Sequence, residues 1–281
     1  MLSVKNAFEV WKNNIFPSIL PFFIISSLLI NYGFVELASI LFKPLMRLFG
    51  INSNVSFIFI MSILSGFPSS SKYIKDLYNN NKITLNDASK ALMFTHYSNP
   101  LFIIGTISGL LNKKAALIIL FSHYIGNIII GIVFRNYHNS YTKINGGLVF
   151  KDAMNIGDVL YKSIKDSIET LLLILGSISI FSFLTVIISK IFYFDNITLS
   201  IISGILEITN GINLISTLTI PIKYKAIIIS MMLSFGGLSI HLQIKSILSN
   251  TNIKYYPYLF TRLIHSFISG FLVFLIYKYK H

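Results

Sequence analysis

Ser65-Gly66-Phe67-Pro68-Ser69-Ser70-Ser71 and Thr95-His96-Tyr97-Ser98-Asn99-Pro100 interrupt two otherwise apolar segments of this chain. A second pair follows in the same order: Glu207-Ile208-Thr209-Asn210-Gly211-Ile212-Asn213, then Ser234-Phe235-Gly236-Gly237 with His241 and Gln243 close behind. Lipid cannot hydrogen-bond a broken backbone, so such interruptions survive only where protein or a water-filled cavity surrounds them. Paired interruptions at corresponding positions of two halves point to a transporter's binding site.

The surrounding sequence supports a membrane setting. The chain is 54% hydrophobic and only 12% charged, whereas soluble domains carry about 25% charged residues. Apolar runs near 16–34, 115–134, 168–192 and 257–277 approach or exceed the roughly 20 residues that cross a bilayer. No small-residue cleavage site follows the first run, so a cleaved signal peptide is not expected. The formal charge of +13 comes from Lys and Arg in loops and at helix ends, such as Lys43, Lys72, Lys113 and Lys151. Such residues orient membrane proteins and meet anionic lipid, so no nucleic-acid partner is implied. Cysteine is absent, which excludes disulfides and thiol catalysis. The histidines lack a ligand spacing backed by a carboxylate, so no metal or other cofactor is expected. No Walker loop, G-x-S-x-G elbow or H-E-x-x-H occurs, and no enzyme is expected.

The two halves align piece by piece, with an offset drifting between 149 and 138 residues. Residues 1–134 form the first copy, 135–165 a polar connection and 166–281 the second copy. Each copy reads as a long helix (16–34, 168–192), a short apolar arm with a polar tip (54–65, 197–206), a helix broken in its middle (84–111, 225–248) and a plain helix (115–134, 257–277). Between the first two pieces of copy one, Phe34 to Gly50 alternates Lys43, Pro44 and Arg47 with leucines, as a helix lying in the interface would. If the short arms span fully, eight crossings result; Lys and Arg then divide 15 inside to 7 outside. If the arms are re-entrant hairpins, six crossings result, with a division of 13 to 9. The positive-inside rule prefers eight. Glu207 and the Gly-Phe-Pro tip, set at mid-depth in segments barely long enough to span, argue for six.

Several residues are candidates for binding a solute. Gly66 and Pro68 turn the chain beside Ser65, Ser69, Ser70 and Ser71, leaving N–H groups free at a half-helix N-terminus. Pro100 removes the bond to the His96 carbonyl and opens the helix. His96, Ser98 and above all Asn99, whose amide both donates and accepts, then become available. In the second copy Asn210, Gly211, Asn213, Ser234, Gly236, Gly237 and Gln243 are the counterparts. Glu207, with Thr209 beside it, is the one carboxylate well inside an apolar segment. Intramembrane carboxylates face a cavity or a partner, so Glu207 either couples a proton or sodium ion or is clamped by Arg262 or His265.

The run Pro44-Leu45-Met46-Arg47-Leu48-Phe49-Gly50, then Ser65 to Tyr78, Asn81-Lys82-Ile83-Thr84 and His96 to Ile103, resembles the nucleoside-recognition (Gate) domain family. The match is specific over about 40–130 and weaker, though collinear, over the second copy. Family members usually carry glycine near Ser70, and this chain looks shorter than its relatives. The resemblance implies a multi-pass protein of the cytoplasmic membrane of spore-forming bacteria, distantly similar to concentrative nucleoside transporters. Those have inverted repeats, each with a re-entrant hairpin and a broken helix around a midplane site. The expected fold is therefore an all-α polytopic membrane protein with two pseudo-symmetric, inverted repeats, each with a re-entrant hairpin and a broken transmembrane helix. The expected partners are the lipid bilayer, a small-molecule solute, a coupling ion (H+ or Na+) and a second copy of the chain in a homo-oligomer. The expected function is secondary transport of a small polar, nucleoside-like solute in sporulation. A non-transporting scaffold for spore-envelope assembly is the alternative, with 135–165 and 72–90 as its sensitive surfaces.

Overall fold

The computed structural model describes residues 2–137 and 155–279. Most of the expected polar connection, 138–154, lies outside the described residues. Helix α1 (Ser3–Asn31) leads to two short helices, α2 (Phe34–Leu41) and α3 (Lys43–Leu48). Arms α4 (Val55–Ser65) and α5 (Ser69–Asn79) flank the first tip. Helices α6 (Leu85–Phe94) and α7 (Pro100–Leu110) flank the first break, and α8 (Lys113–Val133) follows. Then come α9 (Ile156–Ile191), arms α10 (Asn196–Leu206) and α11 (Ile208–Thr217) around the second tip, α12 (Ile222–Phe235) and α13 (Gly237–Ile247) around the second break, and α14 (Tyr256–Tyr279), with no counterpart of α2 and α3 after α9 among the described residues. No strand occurs among the described residues.

Among the described residues, five stretches are long and apolar enough to cross a bilayer: α1, α8, α9, the Ile222–Ile247 pair α12–α13, and α14. The arms are shorter. Eleven residues at 1.5 Å each reach about 16 Å, half of the roughly 30 Å hydrocarbon core. Arms α10 and α11 fold back on each other closely: a Cβ on Gly211 would lie 2.2 Å from the Cα of Gly204. Apolar side chains left exposed on the outer helices, such as Leu172, Phe183, Phe267 and Phe271, meet lipid.

Both long first helices start earlier than the apolar runs suggest, near residue 3 instead of 16 and at Ile156 instead of 168. A local cap and tertiary contacts hold these polar N-terminal extensions. Asn155 caps α9 by accepting from the Gly157 N–H at 3.0 Å. Trp11 Nε1 donates to the Leu171 carbonyl at 2.8 Å, and Ser163 Oγ meets Ser27 Oγ at 2.7 Å, fastening α9 to α1. The segment from Phe34 to Gly50 is two helices, not one, because Pro44 begins a new first turn. Helix α14 packs against both α8 and α12, which also touch each other; a Cβ on Gly126 would sit 2.6 Å from the His265 ring, so the bare glycine lets α8 and α14 approach.

Candidate functional site

The first tip turns at Gly66, whose φ of +78 and ψ of −177 lie in a region open essentially only to glycine. A Cβ there would lie 2.6 Å from the Asn99 backbone nitrogen, so the tip rests directly on the first break. In the second half, Gly236 has φ +98, and a Cβ on it would approach His96 Nε2 to 2.9 Å. Its neighbour Gly237 lies against the Gly204 carbonyl and the Ile208 nitrogen of the second tip. Each tip thus seats on the break of its own half, and His96 joins the two breaks.

A cavity of about 490 Å³ opens where these pieces meet. Of the residues expected from sequence, Ser65, Pro68, Ser98, Asn99, Glu207, Thr209 and Gln243 line it. Phe67 lines it too, stacked on His96 with centroids 4.5 Å apart. The N-termini of four short helices reach this one space: α5 through Pro68, α7 through Asn99, α11 through Glu207, and α13 through Ser239. Two of them are capped by side chains. Asn99 Oδ1 accepts from the Leu101 N–H at 2.8 Å. Glu207 Oε2 accepts from the Thr209 and Asn210 N–H groups at 2.8 and 3.0 Å and from the Thr209 hydroxyl. Helices α5 and α13 have no side-chain cap, and the buried Ser239 Oγ has no hydrogen-bond partner. Helix N-termini carry partial positive charge, so the space favours oxygen-rich groups.

The other expected residues lie outside the cavity. Ser69, Ser70 and Ser71 are buried in the first turn of α5, where Ser71 Oγ donates to the Pro68 carbonyl at 2.6 Å. Gly66, Pro100, Gly236 and Gly237 shape the backbone around the cavity without lining it. Gly211 is spent on the contact with Gly204. Helix α11 buries Ile208, Gly211, Ile212 and Ile215, a helical stripe. Asn210, on another face, bonds Ser182 of α9 at 3.2 Å, and Asn213 is exposed.

His96 and Ser234 belong instead to a buried network behind the breaks. Pro100 frees the His96 carbonyl, as expected, but α6 already ends at Phe94 and five residues run non-helical before Pro100. Side chains from α8 and α14 replace the missing ladder. Asn127 Nδ2 donates to the His96 carbonyl and the Tyr124 hydroxyl donates to the Ser98 carbonyl at 3.0 Å. The Ser98 N–H donates to His123 Nε2 at 3.0 Å, which leaves Nδ1 protonated to donate to Ser234 Oγ at 2.9 Å. One imidazole therefore spans both breaks. Arg262, fully buried, donates to the Met93 carbonyl at the end of α6, to Asn127 Oδ1 at 3.1 Å and to His265 Nδ1 at 2.9 Å. Glu207 has no bond to Arg262 or His265, so the clamp considered from sequence is not formed; the carboxylate is held by its own helix.

Sequence reasoning missed Asn14, Ser18, Thr106 and Ser239 on the cavity wall, and the buried network of His123, Asn127 and Tyr258, whose hydroxyl meets His96 Nδ1 at 3.0 Å; Arg262 entered only as a partner for Glu207. Ser239 had a local signal, since it stands in the first turn after Gly236-Gly237.

A family model described as nucleoside recognition, Gate, matches residues 14–135. That span holds the first tip, the first break and α8. The sporulation integral membrane protein YlbJ of Bacillus subtilis (strain 168) is 31% identical over 312 residues, covering 98% of this chain and 76% of the relative. No solved structure matches.

Proposed function

This chain belongs to the nucleoside-recognition (Gate) family, together with the sporulation integral membrane protein YlbJ, and we propose that it is a secondary transporter of a small polar, nucleoside-like solute that acts in sporulation. It is a multi-pass bacterial membrane protein. On this reading the arms around Gly66 and Glu207 are re-entrant hairpins, the halves are inverted repeats, and the cavity between tips and breaks is the solute site. The observation that carries it is the meeting of four half-length helix N-termini at one cavity of about 490 Å³, within the volume range of small-molecule sites.

The chemistry follows from the wall. Hydroxyl and carbonyl oxygens of a solute meet the uncapped ends of α5 and α13, as anionic or polar groups do at discontinuous helices. Asn99 and Gln243 each offer a donor and an acceptor to a base edge, and the Phe67 ring offers an apolar face for stacking. Glu207 and Thr209 supply oxygens for a proton or sodium ion, which makes them the coupling pair. Asn99 then fixes the solute and Glu207 links its movement to the ion gradient, without chemical change to either. The test is uptake of tritiated uridine and adenosine into proteoliposomes under an H+ or Na+ gradient. Asn99→Ala and Glu207→Gln are each expected to reduce uptake at least tenfold; wild-type uptake in both would overturn the site.

A further inference from the structure

A second cavity, of about 510 Å³, lies at the C-terminal end of α1. Its wall includes Lys72, Lys75 and Lys162 against Asp76, Asp158 and Asp166, three ammonium and three carboxylate groups with no net charge. Helices α1 and α9 line both cavities. On α1 the first cavity ends at Ile19 and the second begins at Ser27; on α9, which runs the opposite way, the first ends at Ile174 and the second begins at Asp166. Eight residue steps separate the cavities on each helix, about 12 Å. The first cavity extends toward the N-terminal end of α1, where Asn14 is exposed. The two therefore lie at opposite ends of one seam.

What closes the seam is small, polar and aromatic. Phe23, Ser26, Tyr73, Ser167 and Leu171 are fully buried there. Phe23 and Tyr73 meet edge to face at 6.2 Å, Lys72 of the second cavity stands 5.7 Å from the Phe23 ring, and the Tyr73 hydroxyl donates to Ser65 Oγ, on the wall of the first cavity, at 2.9 Å. Ser26 Oγ and Ser167 Oγ bond the Phe23 and Ser163 carbonyls of their own helices; such small residues let the helices pack closely, so the aromatic pair is the bulk that fills the seam between the two cavities.

We infer that the charge-balanced cavity is the second mouth of the same solute route, that it admits neutral or zwitterionic solutes, and that the Phe23–Tyr73 contact is the gate that closes it in this structure. The inference rests on the transport reading for its solute and on geometry alone for its gate. A wall of zero net charge exerts no long-range attraction or repulsion on a neutral solute, whereas a strongly single-signed mouth would select by charge.

The chain has no cysteine, so single thiols report cleanly. Ser18→Cys and Lys162→Cys are labelled with a membrane-impermeant methanethiosulfonate ammonium reagent in right-side-out and in inside-out vesicles. Ser18→Cys should label from one face and Lys162→Cys from the other. Adding Phe23→Ala should let the reagent reach Ser18→Cys from the Lys162 face at least tenfold faster, and the milder Phe23→Leu should do so to a lesser degree. In a cysteine pair at Ser27 and Ser163, whose hydroxyls touch at 2.7 Å, oxidative cross-linking should abolish that gain. Labelling of both sites from one face, or no gain with folded Phe23→Ala and Phe23→Leu, overturns the gate. If uridine and adenosine uptake is absent while the two-faced pattern and its Phe23 dependence hold, the solute reading fails and the route stands.

Discussion

Replacing Glu207 separates its structural from its coupling role, because the two substitutions Ala and Gln remove different things. The carboxylate accepts two backbone N–H groups and one hydroxyl through a single oxygen, Oε2, at 2% exposure. Alanine removes the cap, which costs about 0.5–2 kcal/mol. It also leaves two N–H groups at a buried tip without their partner, each costing about 1–3 kcal/mol where water does not replace it. The cap figure is part of that cost and not added to it, so a loss of about 2–6 kcal/mol follows for Glu207→Ala. Glutamine keeps an oxygen at the same reach and loses the charge, so its cost is about 1 kcal/mol, the scale of a carboxylate at a helix N-terminus. Both are measured by reversible unfolding in mixed detergent micelles, alongside gradient-driven uridine uptake. The expected result is a stable Glu207→Gln protein that no longer responds to the ion gradient and a clearly destabilised Glu207→Ala protein. Equal stability of the two would refute the capping geometry, and a gradient response retained in Glu207→Gln would refute the coupling role.

Three further outcomes follow from the same contacts. Gly66→Ala places a methyl 2.6 Å from the Asn99 nitrogen in a backbone region that costs about 1–3 kcal/mol for other residues; unfolding measurements should show a loss of at least that size, with weaker nucleoside binding. Arg262→Met strands the Met93 carbonyl, Asn127 Oδ1 and His265 Nδ1. At about 1–3 kcal/mol each, offset by relief of a buried charge, we expect a net loss of about 2–4 kcal/mol and faster backbone exchange across 93–99. Asp195, outside the membrane-spanning helices, caps α10, and bonds from the Thr198 side chain, then its N–H, hold its carboxyl below the usual range. A depressed folded value means the stabilisation is present above about pH 4 and fades as pH falls through the folded value. Protection factors of the first-turn amides of α10, with the intrinsic exchange rate divided out, should therefore fall toward pH 3 in the wild type and be low and independent of pH in Asp195→Ala.

The helical class and the element order were legible in the sequence because both follow from local signals: apolar run length, a proline that removes a donor, glycines that permit positive φ. Gly66, Pro100 and Gly236 each mark their break unaided. Which side chains reach the cavity was less legible, since that depends on the rotation of short helices about their axes. Thr209 lines the cavity, and Asn210, the next residue of α11, turns away to Ser182 of α9. The residues that repair the breaks were the hardest to find. Asn127 and Tyr124, which reach break carbonyls, His123, which accepts the Ser98 N–H, and Tyr258, which meets the His96 ring, sit on uninterrupted helices remote in sequence from the groups they serve. Arg262 did carry a signal, as a basic residue inside an apolar span. Its partners proved to be a carbonyl, an amide and the His265 ring and not the carboxylate, because Glu207 is held by the N-terminus it caps.

The most direct test of the central claim, that the space between tips and breaks holds the solute, is substrate protection of single cysteines. Ser18→Cys lies on the cavity wall and Asn213→Cys on an exposed helix face outside it. The account predicts that uridine or adenosine slows maleimide labelling of Ser18→Cys several-fold, saturably, and leaves Asn213→Cys unchanged, with protection lost in Asn99→Ala. Labelling of Ser18→Cys that is indifferent to every nucleoside at millimolar concentration, or equal protection at both positions, would contradict it.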